Sequence, residues 1–413
     1  MKRRKVFLAG AKRSAIGKFL GSLYEAEPAE VCAQIIRKGF SGCRGRLRDV
    51  ESVIVGNAVP AGTGQGIARR LAVLSGIPEE VPAYSVNMVC GSGMQAIRNG
   101  MNEILCGADL VLCGGFEFMS NIPFAANSYI RQGKKFGDFQ MMDLMVHDGL
   151  TDAFSGVHMG ITAENIAGRY KISRERQDEY AYMAQKRATE AVDGGRFREE
   201  IVPVLLHDYK GRKFIFDTDE FPNRETDMEK LRLLKPTFLK DGSGTVTAGN
   251  TSGINDGAAF LLLASGEYCR RQGLSPMAEL KECVIVGCDP QLMGLGPYHA
   301  IKKLLEKSGI GFEEIDYLEI NEAFAAQVLG CFRLLSEEYG ISVEKLMERC
   351  NRYGSGLGLG HPLGATGARI ATTLAHMMKR EQGRYGIASL CIGGGMGAAL
   401  LLERREEDEF VKG

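Results

Sequence analysis

The sequence predicts an α/β fold built from two similar units, and three observations predict it. Short apolar runs alternate with amphipathic segments of helix length. One long polar stretch, rich in Gly, Asp, Lys, Arg and Met, breaks that rhythm. The same order of elements then recurs, with little identity between the two occurrences, as an ancient duplication would leave it.

In the first unit, Val53–Val55 and Asp109–Cys113 read as buried strands and Ser92–Leu105 as the helix between them. The alternation predicts mostly parallel strands. From about Ser120 to Gly249 the chain makes an excursion, with helix-like pieces at Thr162–Tyr170 and Arg174–Val192. The rhythm resumes at Ala258–Ala264. In the second unit, Val284–Gly287, Tyr317–Ile320, Ile387–Cys391 and Ala398–Glu403 read as strands. Tyr298–Lys307, Glu322–Glu337 and Gly364–Met378 read as helices. The expected domains are residues 1–119 with 250–275, an inserted domain of residues 120–249, and residues 276–403. A charged tail, residues 404–413, is expected to fray.

A length of 413 residues with 45% hydrophobic content supports more than one core. Lys and Arg total 51, as do Asp and Glu, so the net charge is zero and the basic excess of a nucleic-acid binder is missing. The 11 cysteines form no C-x-x-C pair and no zinc-like Cys/His cluster. No metal and no disulfide framework are therefore expected, and a reducing, cytoplasmic setting is. The basic start, Met1 to Lys5, runs into an apolar stretch too short for a signal peptide. No apolar run is long enough to span a membrane, and Val411-Lys412-Gly413 is not a peroxisomal address.

Four stretches carry chemistry. In Val86-Asn87-Met88-Val89-Cys90-Gly91-Ser92-Gly93, a strand ends and a helix begins. Cys90 would sit at the helix N-terminus, where the dipole favours a thiolate and lowers the thiol pKa. It could equally be a buried structural cysteine beside a turn. The glycine-dense Gly354–Gly360 loop leads into His361-Pro362 and a helix. A histidine there can act as general base to a cysteine. A phosphate loop is the other reading, but the Walker spacing is absent. In Ser389-Leu390-Cys391-Ile392-Gly393-Gly394-Gly395, glycines after a cysteine expose backbone N–H groups suited to an oxyanion hole, or simply turn the chain. Asn321, in Glu319-Ile320-Asn321-Glu322-Ala323, lies at a strand-to-helix junction and could be only a helix cap.

Together these stretches place two cysteines, a histidine and an asparagine at strand ends or helix entrances, where α/β sheets bind ligands. The blocks Asn87–Gly93, Asn321–Ala325, Gly360–Gly367 and Cys391–Gly397 resemble, in order and spacing, the four signature motifs of the thiolase family. The resemblance covers essentially the whole chain. It implies two similar α/β domains packed as five layers, α-β-α-β-α, with a loop domain inserted in the first.

The resemblance also implies roles. Cys90 accepts the acyl group, His361 activates it, and Cys391 removes or returns the α-proton of the second acyl unit. Asn321, through a held water, and His361 stabilise the thioester enolate. The N–H groups of Cys90 and Gly393 form the other oxyanion hole. A thioester α-proton is a weak acid, so a dry pocket that stabilises the enolate is needed. By the same resemblance Ser252 contacts the pantetheine of coenzyme A, and His158 and Ala248 line its tunnel. Met159, Met293, Ala323 and Phe324 lie near the acyl group, although each could be ordinary core. Coenzyme A thioesters are then substrates, and no separate cofactor is implied.

Two departures stand out. The family pattern has Asn, Gly-Gly and Ala upstream of Gly-His-Pro, where this chain has Tyr353-Gly354-Ser355-Gly356-Leu357-Gly358-Leu359. The arginine expected near the nucleotide end of coenzyme A is displaced: Asn223 stands there, with Arg224 next.

The implied reaction is reversible condensation of two acetyl-CoA to acetoacetyl-CoA and CoA. The alternative is a degradative 3-ketoacyl-CoA thiolase of broader chain length. Met159 and Met293 favour the short-chain reading by filling space a long acyl chain would need. A ketoacyl synthase would lack the second catalytic cysteine, and a non-catalytic scaffold would not keep all four positions. The resemblance further implies a homotetramer, or else a dimer, with the Met119–Met142 stretch supplying tetramer contacts.

Overall fold

A computed structural model describes residues 4–41 and 46–405. The readings made above for the first three residues and for residues 406–413 of the tail lie outside the described residues.

The first half runs β1 (Val6–Arg13), β2 (Gly17–Lys18), α1 (Pro28–Gly39), β3 (Ser52–Gly56), α2 (Ile67–Leu74), β4 (Ala83–Val86), α3 (Ser92–Cys106) and β5 (Leu110–Phe118). The excursion holds the hairpin β6 (Phe124–Ala126) and β7 (Met141–Asp143), then α4 (Gly160–Tyr170) and α5 (Arg174–Asp193). A second hairpin, β8 (Val204–His207) and β9 (Lys213–Phe216), and α6 (Met228–Leu233) follow. The chain returns to the first half through β10 (Asn255–Ser265) and α7 (Gly266–Gln272). The second half runs β11 (Ala278–Gly287), α8 (Gly296–Ser308), β12 (Ile315–Ile320), α9 (Ala325–Tyr339), α10 (Val343–Arg349), α11 (Gly356–Leu359), α12 (Leu363–Glu381), β13 (Tyr385–Ile392) and β14 (Met396–Glu403).

Local chemistry sets several boundaries. The Ser173 hydroxyl accepts from the Arg176 N–H to start α5, and Gly309 (φ 70°) and Gly340 (φ 65°) end α8 and α9 in the left-handed region. Asn321 is not a helix cap: α9 begins at Ala325, three residues later than the sequence reading, with Phe324 at its N-cap.

The strands run in the order β12-β13-β14-β11-β1-β10-β5-β3-β4. The halves meet at β1 and β11 through only Phe7↔Glu279 and Leu8↔Ala278. The expectation of mostly parallel strands is corrected. Only β3–β4, β3–β5 and β12–β13 are parallel, while β5–β10, β1–β10, β11–β14 and β13–β14 are antiparallel. The reason is connectivity. β14 follows β13 through a tight glycine turn, and the excursion returns β10 beside β5 with no crossover helix.

Three apolar cores separate five layers. α1 and α2 cover one sheet face, with Ile35 and Leu71 on Val53, Phe260 and Leu262. The middle core holds Ile97 and Met101 of α3 and Ile370 and Leu374 of α12, between Leu261 and Leu263 on one side and Leu400 and Leu402 on the other. α8 and α9 cover the far face, with Leu304 and Phe332 on Leu318, Ile387 and Leu401. Successive residues of β10 and β14 thus feed different cores, so these strands read as unbroken apolar runs.

In the middle layer α3 and α12 approach with no room for a side chain. A Cβ at Gly367 would lie 2.4 Å from the Met94 nitrogen, and one at Gly93 would lie 2.8 Å from the Gly364 carbonyl oxygen. That approach brings the N-termini of the two helices, and the residues just before them, to one place.

Candidate active site

Cys90 precedes α3 in a strained turn. Val89, a β-branched residue, has φ 47°, a backbone conformation costing on the order of 1–3 kcal/mol. Side chains hold the turn. The Val89 N–H donates to Asn87 Oδ1 (3.0 Å), the Met88 N–H to Ser92 Oγ (2.9 Å), and the Ser92 hydroxyl to the Val89 carbonyl (2.7 Å). Asn87 Nδ2 donates to the Ala58 carbonyl (2.9 Å), fixing the turn to the loop after β3. At Gly91 a Cβ would lie 2.4 Å from Ile392 Cδ1 of the other half, so any side chain there would have to displace Ile392.

His361 precedes α12. Its N–H donates to Asn255 Oδ1 (3.0 Å), and a Cβ on Gly360 (φ 103°) would strike that Asn255 side chain at about 2.5 Å. Its ring orientation follows from one neighbour. The Thr366 hydroxyl donates its only proton to the Pro362 carbonyl (2.8 Å), so it accepts from His361 Nδ1 at 2.6 Å. Nδ1 therefore carries the hydrogen and Nε2 keeps its lone pair, as a base requires. Asn321 Nδ2 lies 3.4 Å from Nδ1.

Cys391 ends β13, and the Gly393–Gly395 turn leads to β14, with Gly394 and Gly395 both at φ 82°. The Gly393 N–H is directed at Cys90, where it opposes part of the effect of burial on that thiol. The loop from Asn250 to Ser252 reaches the second half through two backbone bonds: the Ser252 N–H donates to the Ala323 carbonyl and the Ala325 N–H to the Asn250 carbonyl, both 2.9 Å.

A cavity of about 390 Å³ joins these pieces. Cys90, His361 and Cys391 line it, as do His158, Met159, Ala248, Ser252, Met293, Ala323 and Phe324. The sequence reading missed Phe238, which stacks on His158 at 4.6 Å between centroids and packs edge-on against Phe324. It also missed Asn255, which holds the distant His361 backbone, Glu117, which accepts from the distant Gly364 N–H, and Thr366, whose partners lie only four and five residues away. Arg224 is engaged elsewhere, with Asp193 at 2.5 Å.

Electrostatics correct one expectation. Burial pushes the Cys90 thiol up to about 12, although the Gly393 and Cys90 N–H groups oppose it. A helix terminus contributes about 0.3–1 kcal/mol, too little to offset burial in this pocket. Burial also holds the Cys391 thiol well above its ordinary value, with the nearby Cys90 adding to the effect. His361 is pushed down to about 3 by burial, then by the Arg369 charge. The resting site thus holds two neutral thiols and a neutral imidazole.

Comparison with known proteins agrees with this geometry. Residues 6–267 match the family model for the thiolase N-terminal domain, and residues 274–404 the one for the C-terminal domain. The chain belongs to the thiolase family. It is 45% identical over 400 residues to the acetyl-CoA acetyltransferase of Chromobacterium violaceum, covering 97% of this chain and 99% of that one. The acetyl-CoA acetyltransferase of Pseudomonas aeruginosa is 43% identical over the same span. Among solved structures, that of the Syntrophomonas wolfei acetyl-CoA acetyltransferase matches with a TM-score of 0.93 at 38% identity, covering 98% of this chain and 100% of that one. Human mitochondrial 3-ketoacyl-CoA thiolase matches with a TM-score of 0.91 at 37% identity, with the same coverage.

The neutral His361 of this thiolase has a consequence for pH. An ordinary imidazole would become protonated as pH falls through about 6.5 and cease to act as a base. His361 stays unprotonated until about 3. Release of CoA from acetyl-CoA in a single turnover should therefore proceed at a nearly constant rate from about pH 7 to about pH 5. An inflection near pH 6.5 that Cys90 acylation itself follows would contradict the assignment.

Proposed function

We propose that this thiolase condenses two acetyl-CoA to acetoacetyl-CoA and CoA, reversibly, through an acetyl group on Cys90. What carries the reading is the convergence of two thiols and one imidazole on a single apolar cavity. Relatives named acetyl-CoA acetyltransferase over nearly the full length support it.

The resting charge states order the steps. His361 Nε2 takes the Cys90 proton as the sulfur attacks the acetyl carbonyl. The N–H groups of Cys90 and Gly393 receive the developing oxyanion. The Cys391 thiol gives its proton to the departing CoA thiolate, leaving a Cys391 thiolate and a protonated His361. The thiolate then removes the α-proton of the second acetyl-CoA, and its enolate oxygen is met by His361 and by the water that Asn321 holds. The enolate carbon attacks the acetyl-Cys90 carbonyl, Cys90 leaves, and His361 returns its proton. Protons balance over the cycle, and all three groups end neutral as they began.

His158, Ala248, Ser252 and Phe238 shape the tunnel for the pantetheine, while Met159, Met293, Ala323 and Phe324 bound the acyl end. The unpaired thiols fit a reducing, cytoplasmic setting. Assembly as a tetramer, with a dimer as the smaller unit, is favoured by apolar exposure in the excursion: Phe136 is 91% exposed, and Phe124 and Met141 are also exposed. Light scattering should give four times the chain mass, and a stable monomer would refute the assembly.

The two half-reactions should separate. Cys90→Ala should take up no label from radiolabelled acetyl-CoA. Cys391→Ala should still become acetylated, more slowly because the departing CoA thiolate loses its proton donor, yet fail to exchange the α-hydrogens of acetyl-CoA with solvent. Equal loss of both half-reactions in Cys391→Ala would contradict the division of labour.

Chain length should be limited at the methionines. One methylene changes pocket affinity by about 1–3 kcal/mol, so 3-ketopentanoyl-CoA should be cleaved modestly. A sixteen-carbon 3-ketoacyl-CoA should be poor, and Met293→Ala should relax the limit without harming acetylation of Cys90. Wild-type cleavage of the long substrate as fast as acetoacetyl-CoA would replace this reading with the degradative one.

A further inference from the structure

Arg369, on the second turn of α12, is wholly buried. Its Nη2 lies 3.0 Å from Ser355 Oγ and 3.4 Å from Asn321 Oδ1. An arginine only donates, so the Asn321 atom facing it must be the oxygen. The amide nitrogen is then turned the other way, toward His361. Gly356 shapes the same socket, since a Cβ there would lie 2.8 Å from Asn321 Oδ1. Glu322 fastens the loop by accepting from the Ser355 N–H (3.1 Å) and the Leu357 N–H (3.2 Å), while Asn351 and the Tyr180 hydroxyl donate to it.

The pairing of this arginine is incomplete. Burying a guanidinium is costly unless it is fully paired. Among the described residues its Nε and Nη1 make no hydrogen bond, and its nearest carboxylate, Glu319, is 3.7 Å away. Ser355 and Gly356 belong to the stretch where the chain departs from the family pattern, so the departure falls on the residues that surround the Asn321 oxygen.

We propose that Arg369 and Ser355 are positioning residues that hold the Asn321 amide with its nitrogen toward His361, ready to hold the water that meets the enolate of the second acetyl unit. This rests on the role given to Asn321 above. Its signature is selective loss: enolate formation suffers and acylation of Cys90 does not.

The test compares α-hydrogen exchange of acetyl-CoA in heavy water with single-turnover CoA release. Losing one donor of an oxyanion site costs about 10²–10³ in rate, so Arg369→Met, which misaligns rather than removes it, should slow exchange by about 10–100-fold and acylation by less than about 3-fold. Arg369→Lys should fall between wild type and Arg369→Met, because it keeps the charge but loses the fork. In an Asn321→Ala background, Arg369→Met should add less than about 2-fold, because residues acting through one another are not additive. Equal loss of both half-reactions, or a double variant showing the product of the single effects, would overturn the proposal. If thermal unfolding shows that Arg369→Met does not fold, Ser355→Ala decides. Slower exchange with acylation intact supports the proposal, and unchanged exchange overturns it. Unchanged exchange in Asn321→Ala would instead remove the role of Asn321 itself, a result distinct from a failure at Arg369.

Discussion

The molecule depends on how closely two helices can approach. α3 and α12 come from different halves, and each begins directly after a reactive side chain. Gly93 and Gly367 let their backbones meet at distances that exclude any Cβ. Gly115 on β5 adds to this, because a Cβ there would lie 2.1 Å from the Gly364 carbonyl oxygen. Since interiors pack at crystal-like density, a methyl group at the crossing could not be absorbed by small shifts. It would separate Cys90 from His361, and no loop adjustment could restore both at once.

Dryness is the second constraint, and it follows from the first. Groups buried between the two halves of the sheet cannot keep charge cheaply. Cys90 and His361 are therefore neutral at rest. The preorganised N–H groups and the tautomer fixed by Thr366 matter because they stand where charge develops. A resting thiolate–imidazolium pair would already have spent this stabilisation before substrate arrived.

Much of this was legible in the sequence, where it was local. Strand–helix rhythm, glycines before helices and the four chemical stretches are short-range patterns, and all of the predicted pocket residues except Gly393 and Asn321 face the cavity, these two lying against Cys90 and His361. Two kinds of feature were not legible. Strand direction depends on which strands become neighbours after a 130-residue excursion, which no local pattern encodes. β1, Val6–Arg13, was not among the strands read from the sequence, where its apolar start was weighed only as a signal peptide, yet it joins the two halves of the sheet. The second kind is charge state. Cys90 at a helix entrance implies a lowered pKa, but burial has the opposite sign and is larger, and burial is a property of the packed molecule.

The two halves repeat one corner, and the site is asymmetric because the copies differ there. In the first half, Gly56 of β3 pairs with Gly115 of β5; in the second, Ile320 of β12 pairs with Ser389 of β13. The next residue along is Asn57 in one and Asn321 in the other. Two residues beyond the partner lie Glu117 in one and Cys391 in the other, each opposite a glycine of the following strand, Gly257 or Gly397. Cys90 and His361 complete the correspondence. The second-half corner presents Cys391 to the cavity, while the first-half corner holds the structure. Glu117 accepts from Asn57 Nδ2 (2.8 Å) and from the N–H groups of Ala58 (2.7 Å), Val59 (3.2 Å) and Gly364 (2.9 Å). Ala58 also receives the Asn87 bond that fixes the Cys90 turn, and Gly364 lies three residues after His361. One buried carboxyl thus links the mount of Cys90 to the mount of His361. With four donors already bound, Glu117 has little capacity left for substrate, whereas Cys391, at the equivalent corner, faces the cavity with its thiol. The same geometry, duplicated, sets the reacting groups in one copy and the spacing between them in the other.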